Sequence, residues 1–173
     1  MITLVEHKSA YYGPRTWHNA AQGVTLAYAV DHTTAGEKLT QKAAGDKIVK
    51  ISPEFCDDIQ AARYLYAMLR HYNCRTVNVA GNGIYTFAKH GFGQVNVNDA
   101  ITNILHTVHM HWQIEKVVSG GQSGADLAGL IAAERIGIDS VGTWPKGFKM
   151  RFADGKDVNH TKDEIMGIID AYL

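Results

Sequence analysis

The sequence predicts an α/β protein with an open, mainly parallel sheet of about five strands and helices on both faces, in one domain spanning residues 1–173. Three observations predict it. Five short apolar runs recur along the chain: VTLAYAV (24–30), KIVKI (47–51), TVNVAG (76–81), KVVSGG (116–121) and SVGTW (140–144). Most are continuous rather than alternating, the pattern of strands covered on both faces. Segments with helical spacing separate them, and alternation of strand with helix implies parallel crossovers.

The helices are read from their caps and stripes. Thr34 and Glu37 form a capping box for a short helix that Gly45 ends. Ser52 and Pro53 supply a cap and a first-turn proline ahead of Ile59, Ala62, Tyr66 and Leu69. Asn98 caps a helix carrying Ile101, Ile104, Leu105 and Val108. Thr161 and Glu164 form a second capping box, before Ile165, Ile168, Ile169 and Tyr172. No internal repeat, low-complexity segment or linker interrupts this order.

Composition narrows the classes of function. Apolar residues make up 46% and charged residues 20% of the chain, and the formal net charge is zero. With no long basic run, general nucleic-acid binding is not expected. No apolar stretch reaches the length of a membrane span. The opening MITLVEHKSAYYG lacks a signal-peptide layout, and Cys56 and Cys74 have no metal-type spacing. The reading is two reduced thiols in a cytoplasmic protein.

The chemistry concentrates at strand ends. KVVSGGQSGAD runs from an apolar strand through Gly120, Gly121 and Gly124 into a helix starting near Ser123. Such a loop aims backbone N–H groups and a helix dipole at an anion, and parallel sheets bind ligands at this edge. Ser119, Gln122 and Ser123 add side-chain donors, and Asp126 lies one turn into the helix. Gly81-Asn82-Gly83 follows another strand, and Asp31, Thr33, Thr34 and Gly36 follow a third. Three such ends should converge on one cleft. Lys146, in WPKGF, would supply a cation, or else is a solvated surface lysine. Arg15 and Asn19 lie one helical turn apart. Arg15 suits an oxyanion through its planar fork, or makes a structural salt bridge, for example to Glu6. His106 and His109 share a helix face, but no carboxylate or cysteine joins them at a metal-binding spacing. Tyr11, Tyr12, Trp17, Tyr85, Phe87 and Trp144 flank the loops, either as stacking surfaces for a base or as core.

These motifs carry a resemblance. VVSGGQSGADLAGLIAAERIGIDSVGTWPKGFKMRFADG resembles the start of the molybdenum-carrier family, a Rossmann-like family of the SLOG superfamily. That superfamily also holds the DNA-processing protein A and cytokinin-activating phosphoribohydrolase families. TVNVAGNGIY resembles the family's closing segment. Residues 4–51 resemble its middle, at Leu4, Glu6, Tyr12, Arg15, Thr16, Asn19, Thr25, Gly36, Leu39 and Thr40. The segments come in a different order, as in a circular permutation. The resemblance implies a Rossmann-like fold and a cleft lined by Gly81, Asn82, Gly120, Gly121, Gln122, Ser123, Gly124, Asp126, Lys146, Gly36 and Thr40. In the phosphoribohydrolases a PGGxGTxxE motif supplies a glutamate. Here the segment reads TTAGEKLTQK, with Leu39 and Thr40 where that glutamate would fall, and Glu37 beside the glycine.

Three functions follow as expectations. The first is binding of a nucleotide or nucleotide-derived phosphate ligand. Turnover is left open, with Asp126, Glu37 and Arg15 as candidate catalytic residues. The second is an oxyanion carrier for molybdate or molybdenum cofactor, held by N–H groups and cations. The third is a non-catalytic sequestering or interaction module. No cofactor is certain, and the sequence leaves a homo-oligomer open.

Overall fold

The computed structural model describes all residues, 1–173. The elements run β1 (Ile2–Glu6), α1 (Gly13–Ala20), β2 (Val24–Tyr28), α2 (Ala35–Ala44), β3 (Ile48–Ile51), α3 (Asp58–His71), β4 (Thr76–Gly81), α4 (Ile84–Lys89), α5 (Gln94–His111), β5 (Lys116–Ser119), α6 (Ala125–Ile136), β6 (Asp139–Trp144), β7 (Met150–Arg151), β8 (Asp157–Val158) and α7 (Lys162–Asp170). Strands β1 to β6 form one sheet in the order β1-β6-β5-β4-β2-β3, and every pair is parallel. The fold is therefore the α/β, Rossmann-like open sheet expected, with six strands rather than five.

The added strand is β1. It lies at the sheet edge and buries only Leu4, so it lacks the continuous apolar run that marked the central strands. A second small element was also unexpected: β7 and β8 pair antiparallel as a hairpin.

Side-chain alternation sorts the two faces. Val24, Leu26, Tyr28, Val77 and Val79 enter a core with Ala61 and Leu65 of α3, Ile101 and Leu105 of α5, and Ala128 of α6. Leu127, Leu130 and Ile131 of α6 join a second cluster with Trp144 and with Ile165 and Ile169 of α7. The opposite face carries Thr25, Ala27, Asn78 and Ala80, and α1 and α2 cover it. Helix α1 crosses this face, because it must carry the chain from edge strand β1 to β2. The sheet face beneath it is small and polar instead of apolar.

The helix caps are partly as expected. Thr161 and Glu164 close their box reciprocally, at 3.2 and 2.7 Å. Gly45 ends α2 with a positive φ of 58°. Thr34 accepts the Glu37 N–H at 3.3 Å, but the Glu37 side chain does not return to the cap. Helix α3 starts at Asp58, capped by Asp57, which accepts from Gln60 N–H at 2.7 Å. Ser52 and Pro53 lie in the turn before it, and Ile59 is exposed. Helix α5 begins four residues ahead of Asn98, which is wholly buried inside it. No helix is long and apolar enough to cross a membrane.

Candidate active site

The sheet order reverses between β2 and β4, since the chain leaves β2 toward β3 and leaves β4 toward β5. In open parallel sheets the crevice at the carboxyl ends beside such a reversal is where ligands bind. A cleft of about 280 Å³ opens there. Arg15 and Asn19 reach it from α1, Gly36, Glu37 and Thr40 from α2, Gly81 and Gly83 from the end of β4, and Gly120, Gln122 and Asp126 from the β5–α6 turn. The structure thus brings together ten of the residues singled out in the sequence.

Six others do not line it. Asn82 clamps the β2 loop, accepting from Asp31 N–H at 2.9 Å and donating to its carbonyl at 3.0 Å. Ser119 Oγ donates to the Asp126 carbonyl at 2.6 Å. Ser123 Oγ donates to the Arg151 carbonyl. Gly124 donates its N–H to Gln94 at 2.7 Å. Lys146 is exposed on the surface, and Gly121 faces Trp144.

The β5–α6 turn corrects the expected anion site. The helix starts at Ala125, and four N–H groups of the turn and helix start are already engaged. Gly121 donates to Ser119 Oγ, Ser123 to Gln122 Oε1, Gly124 to Gln94 Oε1 and Ala125 to the Asn82 carbonyl. The Asp126 carboxyl lies over the turn, where an added Cβ on Gly120 would strike its Oδ2, and the nearby Gln122 and Gly81 N–H groups favour its charged form. An acidic side chain of this chain therefore occupies the electropositive turn that an external anion would need. Gly121 is structural as well: its φ is +76°, and an added Cβ would strike the Trp144 indole. Gly121→Ala should cost about 2–4 kcal/mol from left-handed backbone strain and overpacking. Urea unfolding checks this, and an unchanged midpoint would contradict it.

Arg15 is the buried cation of the cleft, with 5% of its surface exposed. Its Nη1 donates to the Gly120 carbonyl and, at 3.2 Å, to that of Thr143. The same atom lies 3.8 Å from Asp126 Oδ2. Its acidic partner is thus Asp126, while Glu6 instead accepts the Gly147 N–H at 3.2 Å. Burial pushes the Arg15 guanidinium below its ordinary value, and Asp126 opposes this. Burial also raises the Asp126 carboxyl to about 6, against the pull of Arg15. Arginine keeps its proton in proteins, so the two form an ion pair at neutral pH.

Glu37 is 3% exposed. Burial, then the nearby charges of Asp126 and Asp31, push its carboxyl up to about 8. His32 Nδ1 lies 3.8 Å from its Oε2, while His32 Nε2 contacts the Ile51 carbonyl at 3.1 Å. Four buried polar atoms of residues that line this one cleft make no hydrogen bond within the chain: Arg15 Nε, Asn19 Oδ1, Glu37 Oε2 and Asn78 Oδ1. Such groups are costly to bury unmatched, and water or another polar molecule in the cleft would satisfy them; five further atoms of this kind belong to His32, Asn98, Glu134, Ser140 and Trp144, none of which lines the cleft.

No protein-family profile matches this chain, and a search of curated proteins finds no significant match.

Sequence reasoning missed several cleft residues. Asn78 is the polar interruption of TVNVAG, and its Nδ2 donates to Thr25 of the neighbouring strand at 3.0 Å. A lone asparagine within a buried strand was the available signal. Thr86 carried none, and Thr16 only its match to the molybdenum-carrier family. Tyr12 is read from the sequence as a flanking aromatic and a family match, Tyr85 as a flanking aromatic alone, and both line the cleft. Arg151 reaches it through the β7–β8 hairpin, whose position depends on long-range contacts. The two histidines on α5 lie elsewhere. His109 Nδ1 accepts from Ile114 N–H at 3.1 Å, and His106 borders a groove beside α3.

Proposed function

We propose that the cleft binds a nucleotide-type ligand with its ribose innermost and hydrolyses the N-glycosidic bond. The observation that carries this reading is the set of four buried, unpartnered polar atoms at the sheet's reversal point. A polyhydroxyl group such as a ribose can satisfy acceptors on Asn19, Asn78 and Glu37 together. An apolar molecule cannot.

Two carboxyl groups with separated pKa values supply the acid and the base. Asp126, at about 6, is ionised at neutral pH and takes a proton from water. The water oxygen forms a bond to the anomeric carbon as the carbon–nitrogen bond breaks. Glu37, at about 8, still holds its proton and donates it to the departing base. Arg15 keeps Asp126 ionised. The phosphate lies toward the cleft mouth, near Arg151, because the β5–α6 turn is filled from within.

The resemblance to the SLOG superfamily supports the ligand half of this reading, as does the meeting of the chain ends that a permutation requires; the catalytic half rests on Asp126 and Glu37 alone, since Leu39 and Thr40 stand where the phosphoribohydrolase glutamate would fall. The Met1 amino group lies 4.0 Å from Glu134, and the next residue, Arg135, donates to the Tyr172 carbonyl at 2.7 Å. At the far end of β1, Gly147 links Glu6 to His160, whose N–H donates to the Gly147 carbonyl at 3.0 Å. Molybdate fits the residues poorly. The turn that would hold an oxyanion is occupied by Asp126, and neither cysteine lines the cleft.

Base release from AMP, followed by chromatography across pH, tests the proposal. The rate should rise as Asp126 deprotonates near 6 and fall as Glu37 loses its proton near 8. Asp126→Asn and Glu37→Gln should each lose at least about a hundred-fold in rate. Release that is flat with pH and indifferent to both substitutions would refute the assignment. Binding without release would leave only the ligand half of the proposal.

A further inference from the structure

The interior and the mouth of the cleft differ in charge. Inside, Arg15 and Asp126 neutralise each other, and Glu37 holds its proton at neutral pH. At the mouth the balance is positive, and strand alternation is the reason. Met150 points into the core and is wholly buried, so Lys149 and Arg151 point the other way. Lys149 Nζ lies 5.5 Å from the centre of the Tyr12 ring, on one wall of the cleft. On α4, Lys89 Nζ lies 4.0 Å from the Tyr85 ring, one helical turn back. Both tyrosines and Arg151 line the cleft.

Neither lysine has a carboxylate within salt-bridge distance. Arg151 does, with Nε and Nη2 fixed on the two oxygens of Asp157 at 3.0 and 3.2 Å. Its backbone is fixed too. The Arg151 N–H donates to Gln122 Oε1 at 2.6 Å, and its carbonyl accepts from Ser123. The hairpin therefore holds its cations in place over the cleft. Lys149 and Lys89 belong to different elements, so they meet different parts of a bound molecule.

We propose that Lys149, Arg151 and Lys89 form a diphosphate seat at the cleft mouth, so that the ligand is a nucleoside diphosphate or a diphosphate-bridged sugar nucleotide. This rests on the nucleotide reading above and goes further by specifying the ligand's charge. In this seat two linked phosphates would lie between the lysines beside Tyr12 and Tyr85, while the uncharged sugar would fill the neutral interior. A monophosphate leaves at least one lysine unmatched.

Calorimetric titration of the intact protein with orthophosphate, pyrophosphate, AMP and ADP tests the seat. Lys149→Met and Lys89→Met keep the apolar stems on their tyrosines and remove only the charge. ADP should bind at least ten-fold more tightly than AMP, and pyrophosphate more tightly than orthophosphate. Each methionine variant should weaken ADP and pyrophosphate roughly ten-fold, and the double variant about a hundred-fold, as for lost charge-assisted hydrogen bonds. Raising the salt should narrow the gap between ADP and AMP.

If AMP and ADP bind equally and pyrophosphate does not bind, the diphosphate seat is wrong and the nucleotide reading survives. Pyrophosphate binding that the lysine variants weaken, with no gain for ADP over pyrophosphate, keeps the seat and removes the nucleoside from the proposal. Equal affinities in parent and variants for every probe would overturn the seat outright. Circular dichroism of the variants should match the parent, since neither lysine packs in the core.

Discussion

Arg15→Met should lower the unfolding free energy by roughly 3–5 kcal/mol, the largest loss expected from any single change at the cleft. Methionine fills much of the volume but leaves Asp126 buried without its counter-charge. It also strips the Gly120 and Thr143 carbonyls of the donor that ties α1 to β5 and β6. The loss should grow as pH rises. Asp126 in the folded variant would hold its proton still more tightly, while the unfolded carboxyl ionises near its ordinary 3.8. Adding Asp126→Asn should recover part of the loss, because the uncompensated charge disappears. A double-mutant cycle by urea unfolding measures the coupling. Strictly additive effects would mean that Arg15 acts on the fold only through the two carbonyls.

Glu37→Gln should have the opposite sign. The folded carboxyl ionises at about 8 and the unfolded one near 4.5. Folding therefore favours the protonated form. The parent keeps its full stability below the unfolded value, loses it progressively as pH rises between the two values, and loses no more above the folded value. At pH 7 most of that penalty is already present, about 3 kcal/mol, and glutamine avoids it. Melting temperature should then rise by roughly 5–10 °C at pH 7 and hardly at all at pH 4. His32 is the one basic group facing Glu37 Oε2, with Asp126 and Asp31 the acidic neighbours. A pH-independent gain would show that glutamine stabilises by packing or hydrogen bonding alone. Together with loss of base release, a pH-dependent gain marks a residue that the fold tolerates at a cost to stability.

Much of the architecture was legible because the central strands are buried on both faces. Residues 24–30, 76–81 and 116–121 read as continuous apolar runs for that reason. Strand β1 was not legible, since an edge strand with one buried residue leaves too short a pattern. The glycine turns were legible as turns, and their convergence at one sheet edge followed from parallel topology. What the β5–α6 turn holds was not. The sequence shows Asp126 one turn into a helix, but only three dimensions show its carboxylate folded back over the turn's N–H groups. Lys146 was named from its motif, yet the cations that the β7–β8 hairpin region brings beside the cleft are Lys149 and Arg151. Their placement depends on Met150 entering the core and on Gln122 and Ser123 gripping the hairpin from about thirty residues away.

The sequence by itself determined the class of fold, the strand ends where chemistry gathers, and most of the residues that line the cleft. These rest on local signals: apolar runs, caps and glycine turns, each readable within a few residues. Tertiary structure alone decided which polar groups are spent on the fold and which remain for a ligand. Arg15 meets Asp126 across 111 positions, Glu37 turns from its helix cap into the cleft, and Asn78 faces away from the apolar core. The physical reason is that hydrogen-bond satisfaction is a property of neighbours in space. A donor or acceptor has no partner, and so no function, until chain crossings such as that of α1 have brought distant segments together.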